Sequence, residues 1–263
     1  MDLAEHKIDY VVLTWNSGRT LTKTLRSIQF FGNPRKIIVI DRFSSDDTLT
    51  IAKNFDCVIV QTDKQLGFAR LIGAKTAQTK LIGYVDSDVE LTKGWRELLK
   101  AAFDARFECT GAMSAMYEGY KWTPTLRYGA FGCSIMKRQL VLEFADIQKY
   151  SSAEDLVFAD FLEERKLKWY VFPVEVKHHR ELVGIPEWLK QRWFGAGARV
   201  AGRNFLVILG SFFVGLLGLS PGRAARASDY SYIKNIKFRY HYLIGYFFYK
   251  KYYEIDRSRS NVG

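Results

Sequence analysis

The chain is 263 residues long, 48% hydrophobic and 25% charged. That usage excludes wholesale disorder and collagen-like or coiled-coil fibres, and at roughly 100–200 residues per domain it allows one large domain or one domain with an appendage. The formal net charge of +11 is uneven: Arg199 to Gly263 holds 11 basic and 3 acidic residues, which leaves only +3 for the first 198.

Basic character therefore belongs to the tail. A nucleic-acid-binding body would need its cations clustered among exposed aromatics, so no nucleic-acid partner is expected. Cys57, Cys109 and Cys133 show neither a CxxC nor a metal-ligand spacing and read as reduced thiols of a cytosolic compartment. Met1–Lys7 is polar and Ile8–Leu13 is too short for a signal sequence, so the N-terminal part is expected on the cytoplasmic side.

Short β-branched runs alternate with amphipathic stretches through the first half. Ile8–Leu13 predicts a strand, followed by a helix carrying Leu21, Leu25 and Ile28. Ile37–Ile40 predicts a second strand, Leu49 and Ala52 a short helix, Cys57–Val60 a third strand, Phe68 to Ala77 a helix, and Leu81–Val85 a fourth strand. Apolar runs without polar alternation suit strands buried on both faces, and β-α repeats with short links imply a mostly parallel, doubly wound sheet flanked by helices. A helix over Thr92–Phe107 follows, with Trp95, Leu98, Leu99 and Ala102 on one face. From Gly111 to Lys149 the pattern is weaker and yields one strand, Phe131–Met136. A helix near Ala153–Arg165 and a strand over Trp169–Val176 close the compact part.

The last quarter differs. Asn204 to Gly222 is a run of 19 residues without a charge. At ~1.5 Å per residue it spans about 28 Å against a hydrocarbon core of about 30 Å. It could cross a bilayer or, weakened by Gly210, Gly215 and Gly218, form a re-entrant hairpin. Arg199 and Arg203 flank one end, Arg223 and Arg226 the other. Tyr230–Tyr253 then sets Ile233, Ile236, Tyr240, Leu243 and Phe247 along one helical face, with Lys234, Lys237 and His241 to one side. Such a face suits the membrane interface; a buried helix followed by a surface helix would give the same spacing. The expectation is a hydrophobic and amphipathic helical membrane region over 199–263.

In open α/β sheets, ligands bind outside the carboxyl ends of the strands. Those ends carry Thr14-Trp15-Asn16, then Asp41 with Ser44-Ser45-Asp46-Asp47, then Asp86-Ser87-Asp88. Helix capping accounts for Ser44 and Asp47, but not for Asp41. Asp86 and Asp88 would face one side if extension continued, and two converging carboxylates repel unless a cation lies between them. Hard oxygen ligands suit Mg2+ or Mn2+, which would in turn hold a diphosphate. A lone DxD is also common in ordinary loops. No P-loop and no GxGxxG is present, which disfavours nucleotide hydrolysis and dinucleotide binding.

Taken together, Val11–Asn16, Ile37–Asp41 with Ser44–Thr48, Gly67–Gly73 and Leu81–Asp88 resemble the successive blocks of family 2 glycosyltransferases of GT-A fold, in order and at the expected intervals. Glu154-Asp155 is similar to the family's ED motif, whose Asp is the catalytic base. The resemblance covers about Ile8 to Trp193. The C-terminal part is most similar to the small, membrane-associated, cellulose-synthase-like members: Leu189–Trp193 stands where they carry QxxRW, with Leu189 for the first Gln. Phe131-Gly132-Cys133-Ser134 loosely echoes their acceptor segment. Arg42 replaces the second Asp of the usual pair.

The resemblance implies an α/β GT-A catalytic domain over 1–198, including an interface segment near 186–198. It implies that Thr14, Trp15, Asn16 and Asp41 line the nucleoside pocket and that Gly67 and Arg70 flank the donor's nucleotide and phosphates. Asp86 would meet the ribose or sugar, Ser87 would help bind the donor, Asp88 would ligate the metal, and Arg192 would pair with the diphosphate. Glu154, Gly132, Cys133 and Trp193 would serve the acceptor, with Asp155 as base. Of His178 and His179, His179 is favoured as a second metal ligand; a surface His pair is the plain alternative. The implied reaction is inverting, metal-dependent (Mn2+ or Mg2+) transfer of a hexose, mannose favoured, from a GDP- or UDP-linked nucleotide sugar. The expected acceptor is a lipid-linked glycan at the cytoplasmic face of the cell membrane, with membrane lipids as partners of the tail. A polyprenyl-phosphate monosaccharide synthase is the alternative. A sugar-nucleotide pyrophosphorylase would open on a Gly-rich basic loop, and Leu13–Arg19 is not one.

Overall fold

The computed structural model describes residues 6–104, 109–119, 129–179, 186–216 and 232–253. They fall into two compact units. The first holds the sheet, and the second holds residues 119, 150–154 and everything described from 186 onward. Segment 186–198, expected with the first domain, thus groups with the tail helices.

In the first unit, β1 (Ile8–Thr14), α1 (Leu21–Phe31), β2 (Pro34–Asp41), α2 (Thr48–Asn54), β3 (Val58–Gln61), α3 (Leu66–Thr76) and β4 (Leu81–Val85) follow the expected alternation. Then come β5 (Val89–Glu90), α4 (Trp95–Ala102), β6 (Thr110–Tyr117), β7 (Cys133–Lys137), α5 (Arg138–Glu143), a 3-10 turn (Ala145–Lys149), α6 (Glu154–Glu164) and β8 (Lys168–His178). Successive side chains of β1 serve opposite faces. Ile8, Tyr10 and Val12 join Leu25 and Ile28 of α1 and Trp95 and Leu98 of α4, while Val11 joins Ala74 of α3 and Phe158 of α6. Trp95 Nε1 donates to the Tyr10 hydroxyl at 2.9 Å, and that hydroxyl donates to the Gly32 carbonyl at 2.7 Å. This pair needs no water inside the core.

The sheet corrects one expectation. Its order is β3-β2-β1-β4-β7-β6-β8-β5. The pairs β2–β3, β1–β2, β1–β4 and β6–β8 are parallel, but β4–β7, β6–β7 and β5–β8 are antiparallel. The sheet is therefore mixed rather than mostly parallel. Apolar runs report burial, not direction, so β7 was legible as a strand while its reversal was not.

The second unit is helical: α7 (Glu187–Val200), α8 (Phe205–Leu216), α9 (Tyr232–Phe247) and α10 (Tyr249–Tyr252). α7 crosses α9 where neither backbone tolerates a side chain: a Cβ at Gly195 would strike the Tyr242 carbonyl, and one at Gly245 the Arg192 carbonyl. Gly202, at φ +72°, turns the chain between α7 and α8. Tyr246 locks the start of α8, accepting from Arg199 at 3.2 Å and donating to the Arg203 carbonyl. Among the described residues, no helix is long and apolar enough to cross a membrane. Gly218, Arg223, Arg226 and Tyr230 of the expected membrane region lie outside the described residues.

Candidate active site

Three strand ends of the first unit carry the expected side chains. At the end of β2, Asp41 is fully buried. Its carboxylate accepts from Thr14 Oγ1 (2.9 Å), Ser44 N (2.9 Å), Ser44 Oγ (2.5 Å) and Gln61 Nε2 (3.1 Å). This ties the ends of β1, β2 and β3 to one carboxyl group held by four donors. Ser44, expected as a helix cap, serves Asp41 instead, and the N-cap Asp47 makes no side-chain cap hydrogen bond; Gln61 was missed, although it stands at a strand end and the same rule could have found it.

Asn16 takes the left-handed conformation at φ +48°, as short polar side chains tolerate. Its N–H donates to Ser44 Oγ at 2.8 Å and its Oδ1 accepts from Ser45 N at 2.9 Å. Trp15, half-buried, sits between these anchors, its N–H reaching Ser17 Oγ at 3.2 Å. Asp46 accepts from Gly18 N at 2.8 Å and from both the N–H and the hydroxyl of Thr48. Burial opposes its charge, but these hydrogen bonds outweigh it and hold its carboxyl below the usual range.

At the end of β4 the chain turns through Asp86, Ser87 and Asp88. Asp86 N donates to the Gly132 carbonyl at 2.8 Å and Val89 N to the Asp86 carbonyl at 2.9 Å. Gly132 is required here, because a Cβ would collide with the Asp86 carboxylate. Arg70, only 3% exposed, comes up from α3 and reaches Asp86 Oδ1 at 3.4 Å. Its guanidinium lies 4.7 Å from the Phe131 ring centre and 5.6 Å from that of Tyr84, and the Tyr84 hydroxyl donates to the Arg70 carbonyl at 2.6 Å. Aromatic faces hold a desolvated cation, so Arg70 is placed rigidly beside the turn. Gly67 lies buried in the first turn of the same helix. Ser87 Oγ meets Ser17 Oγ at 2.8 Å, and the Ser87 carbonyl accepts from Thr24.

Asp88 faces a histidine, and it is His178 rather than the favoured His179. Asp88 Oδ2 and His178 Nε2 are 3.1 Å apart, while His179 Nε2 is held 2.9 Å from Glu90 Oε2. Val89 pairs with His178 across the β5–β8 ladder, which turns the two neighbouring rings to different carboxylates. Tyr117 of β6 lies against the His178 ring at 4.3 Å between centres; nothing in the motifs pointed to it. Among the described residues no group of three or more His, Cys, Asp or Glu could hold a metal by itself. The Asp88–His178 pair fits a cation completed by substrate oxygens: adjacent ligands of an octahedral ion bound at about 2.1 Å stand about 3 Å apart.

Asp155 is half-buried in the first turn of α6, its Oδ1 accepting from Leu156 N at 2.9 Å. Phe158, one turn on, packs against Phe131 at 5.2 Å, so α6 is seated on the residue that precedes Gly132. Cys133 contributes no thiol to a surface: it is fully buried and donates to the Ala115 carbonyl, and burial pushes its thiol far up. Glu154, Arg192 and Trp193 belong to the second unit. There Arg192 donates to His241 Nδ1 (3.3 Å) and the Tyr252 hydroxyl (2.6 Å) over the Trp188 ring, and the Trp193 carbonyl accepts from Ser152.

The sequence model of glycosyl transferase family 2 matches residues 9–157. No curated protein matches the chain by sequence. Among solved structures, the mannosyltransferase PcManGT from Pyrobaculum calidifontis, in complex with GDP-Man and Mn2+, matches with a TM-score of 0.62 at 14% identity, over 90% of this chain and 70% of that one. TarS of S. aureus in complex with UDP-GlcNAc gives 0.55 at 18% identity, over 92% and 72%; of another TarS structure this chain spans 43% of the length. Glucosyl-3-phosphoglycerate synthase from Mycobacterium tuberculosis, with Mg2+ and UDP, gives 0.56 at 15% identity, over 76% and 80%. At these identities the likeness is one of fold.

Proposed function

The chain belongs to glycosyl transferase family 2, and we propose that this glycosyltransferase moves a hexose, mannose favoured, from a nucleotide sugar to a lipid-linked glycan at the cytoplasmic face of a membrane, with inversion. The observation that supports this most is that Asp41, Asp86 and His178 stand at the carboxyl ends of β2, β4 and β8, with Arg70 of α3 on Asp86 and Asp88 on His178. Both GDP-Man and UDP-GlcNAc occur in complexes of the same fold, so either nucleotide is a candidate donor.

Each residue has a task in that reading. Thr14, Trp15, Asn16 and the Asp41 hub shape the nucleoside pocket. Arg70, pinned between aromatic faces, presents a cation to the donor phosphates, and Asp86 orients the ribose or sugar. Asp88 and His178 would hold Mn2+ or Mg2+, which when bound offsets charge gathering on a departing nucleoside diphosphate. Asp155, in the first turn of α6, takes the acceptor hydroxyl's proton. The donor and acceptor roles of Arg192, Trp193 and Glu154 rest on the family resemblance and are tested one by one through donor and acceptor KM.

The test is a donor screen on the purified full chain with GDP-mannose and UDP-hexoses, with Mn2+, Mg2+ or excess EDTA, and with lipid-linked glycan or bare polyprenyl phosphate as acceptor. Full turnover in EDTA would remove the metal. Asp155→Asn should cost about 10²–10⁴ in turnover, with donor affinity unchanged within a few fold. Near-normal turnover of that variant would exclude Asp155 as the base. It would move the assignment to a polyprenyl-phosphate monosaccharide synthase, whose acceptor phosphate needs no deprotonation.

A further inference from the structure

We propose that α8, α9 and α10 dock in the plane of an anionic lipid leaflet, seated by exposed apolar side chains and held by the cations of the same segment, without crossing it. α8 is apolar on every described side, yet Leu206 (70%), Val207 (68%) and Phe213 (53%) are the most exposed of its described side chains. At 3.6 residues per turn these three and Gly210 share one face. On the other side Phe205 packs on the Tyr246 and Phe247 rings at 6.2 and 5.3 Å. A helix facing water turns its polar side outward; α8 does the reverse. Tyr240 (51%), Phe247 (56%) and Phe248 (62%) are further exposed aromatic side chains of α9 and its end.

Charge identifies the occupant. Residues 199–216 and 232–253 contain seven Lys and Arg and no Asp or Glu, and Arg199, Lys237, Lys250 and Lys251 are exposed. A second copy of the same face would set cations against cations. Nucleic acid would answer the charge but leave Leu206, Val207 and Phe213 without apolar partners. A leaflet with anionic head groups answers both, as amphipathic interfacial helices do. The 12 described residues of α8 reach about 18 Å against a hydrocarbon core of about 30 Å, and among the described residues no helix is long and apolar enough to cross, so these residues favour a place in the interface.

The inference deepens the membrane part of the reading above and rests on it. Vesicle binding needs no donor, acceptor or turnover, so its failure and a failure of transfer are read separately. The full chain is floated with vesicles of phosphatidylcholine alone or with one third phosphatidylglycerol. Binding should be about tenfold or more tighter on the anionic vesicles, and weaker as the screening length falls from ~10 Å at 0.1 M salt to ~3 Å at 1 M. Leu206→Ser combined with Phe213→Ser, both at exposed positions, should keep the circular dichroism and Tm and lose about tenfold or more in binding to both vesicle types. Lys250→Ser with Lys251→Ser should weaken only the anionic arm. Equal binding by wild type and the apolar variant would overturn the proposal. So would resistance to carbonate extraction, which means a span, or self-association that the same variant abolishes, which means a second copy.

Discussion

Gly132 and Asp86 are matched so closely that the smallest added group has nowhere to go. Gly132→Ala must push the Asp86 carboxylate off Arg70 or shift the turn that receives Asp86 N–H. Overpacking of this kind typically costs about 1–3 kcal/mol, so a lowered Tm together with at least about a tenfold loss of transfer is expected, measured by thermal denaturation and the donor assay. Asp46 makes a different forecast. Its folded carboxyl titrates below its unfolded value of about 4, so its contribution to stability is whole above that value and lost as pH falls through the depressed folded one. Asp46→Asn should therefore flatten the acid limb of the stability curve, read from urea midpoints taken from neutral pH downward.

Between elements, the α7–α9 crossing is the place where one methyl group should matter most. Gly245→Ala brings a Cβ onto the Arg192 carbonyl, so the helices must part. The Arg192 bonds to His241 and Tyr252 should loosen with them. A lower Tm and altered near-ultraviolet circular dichroism would report it, while an unchanged spectrum would mean that the crossing is slack. None of this spacing was visible beforehand, because a glycine in a helical pattern does not announce which backbone it admits. The β-branched strands β1 to β4 were legible, and so were Asp41, Asp86 and Asp88, since their runs are unbroken and end on acids. β6 was not: Thr110–Tyr117 is built mainly of Gly, Ala, Ser and Met, small residues with little strand signature that are buried by their neighbours. That the Asp88 carboxylate meets the His178 ring while His179 meets Glu90 depends on the β5–β8 register, a long-range fact that local pattern does not carry.

Over the whole chain, protection from solvent should be graded rather than uniform. β1 pairs on both edges, with β2 and β4, and is buried on both faces. Its amides should exchange slowest, near the limit set by global unfolding, and those of α8, whose outer face is uncovered, among the fastest. Hydrogen exchange followed by mass spectrometry checks this. Adding anionic vesicles should slow α8 through α10 selectively and leave β1 unchanged.

The hydrogen bond between Trp95 and Tyr10 has an optical consequence. Trp95 is fully shielded and Trp169 is 5% exposed, whereas Trp188 stands 44% in solvent. Burial pushes the Tyr10 phenol far up, so it stays protonated and accepts from the indole throughout the neutral and mildly alkaline range. The short-wavelength part of the emission therefore includes Trp95 and Trp169 of the sheet unit, and the long-wavelength part, quenched first by iodide, includes Trp188 of the helical unit. In unlabelled protein, a shift of the shielded emission to longer wavelength thus follows the opening of the core around Trp95 and Trp169.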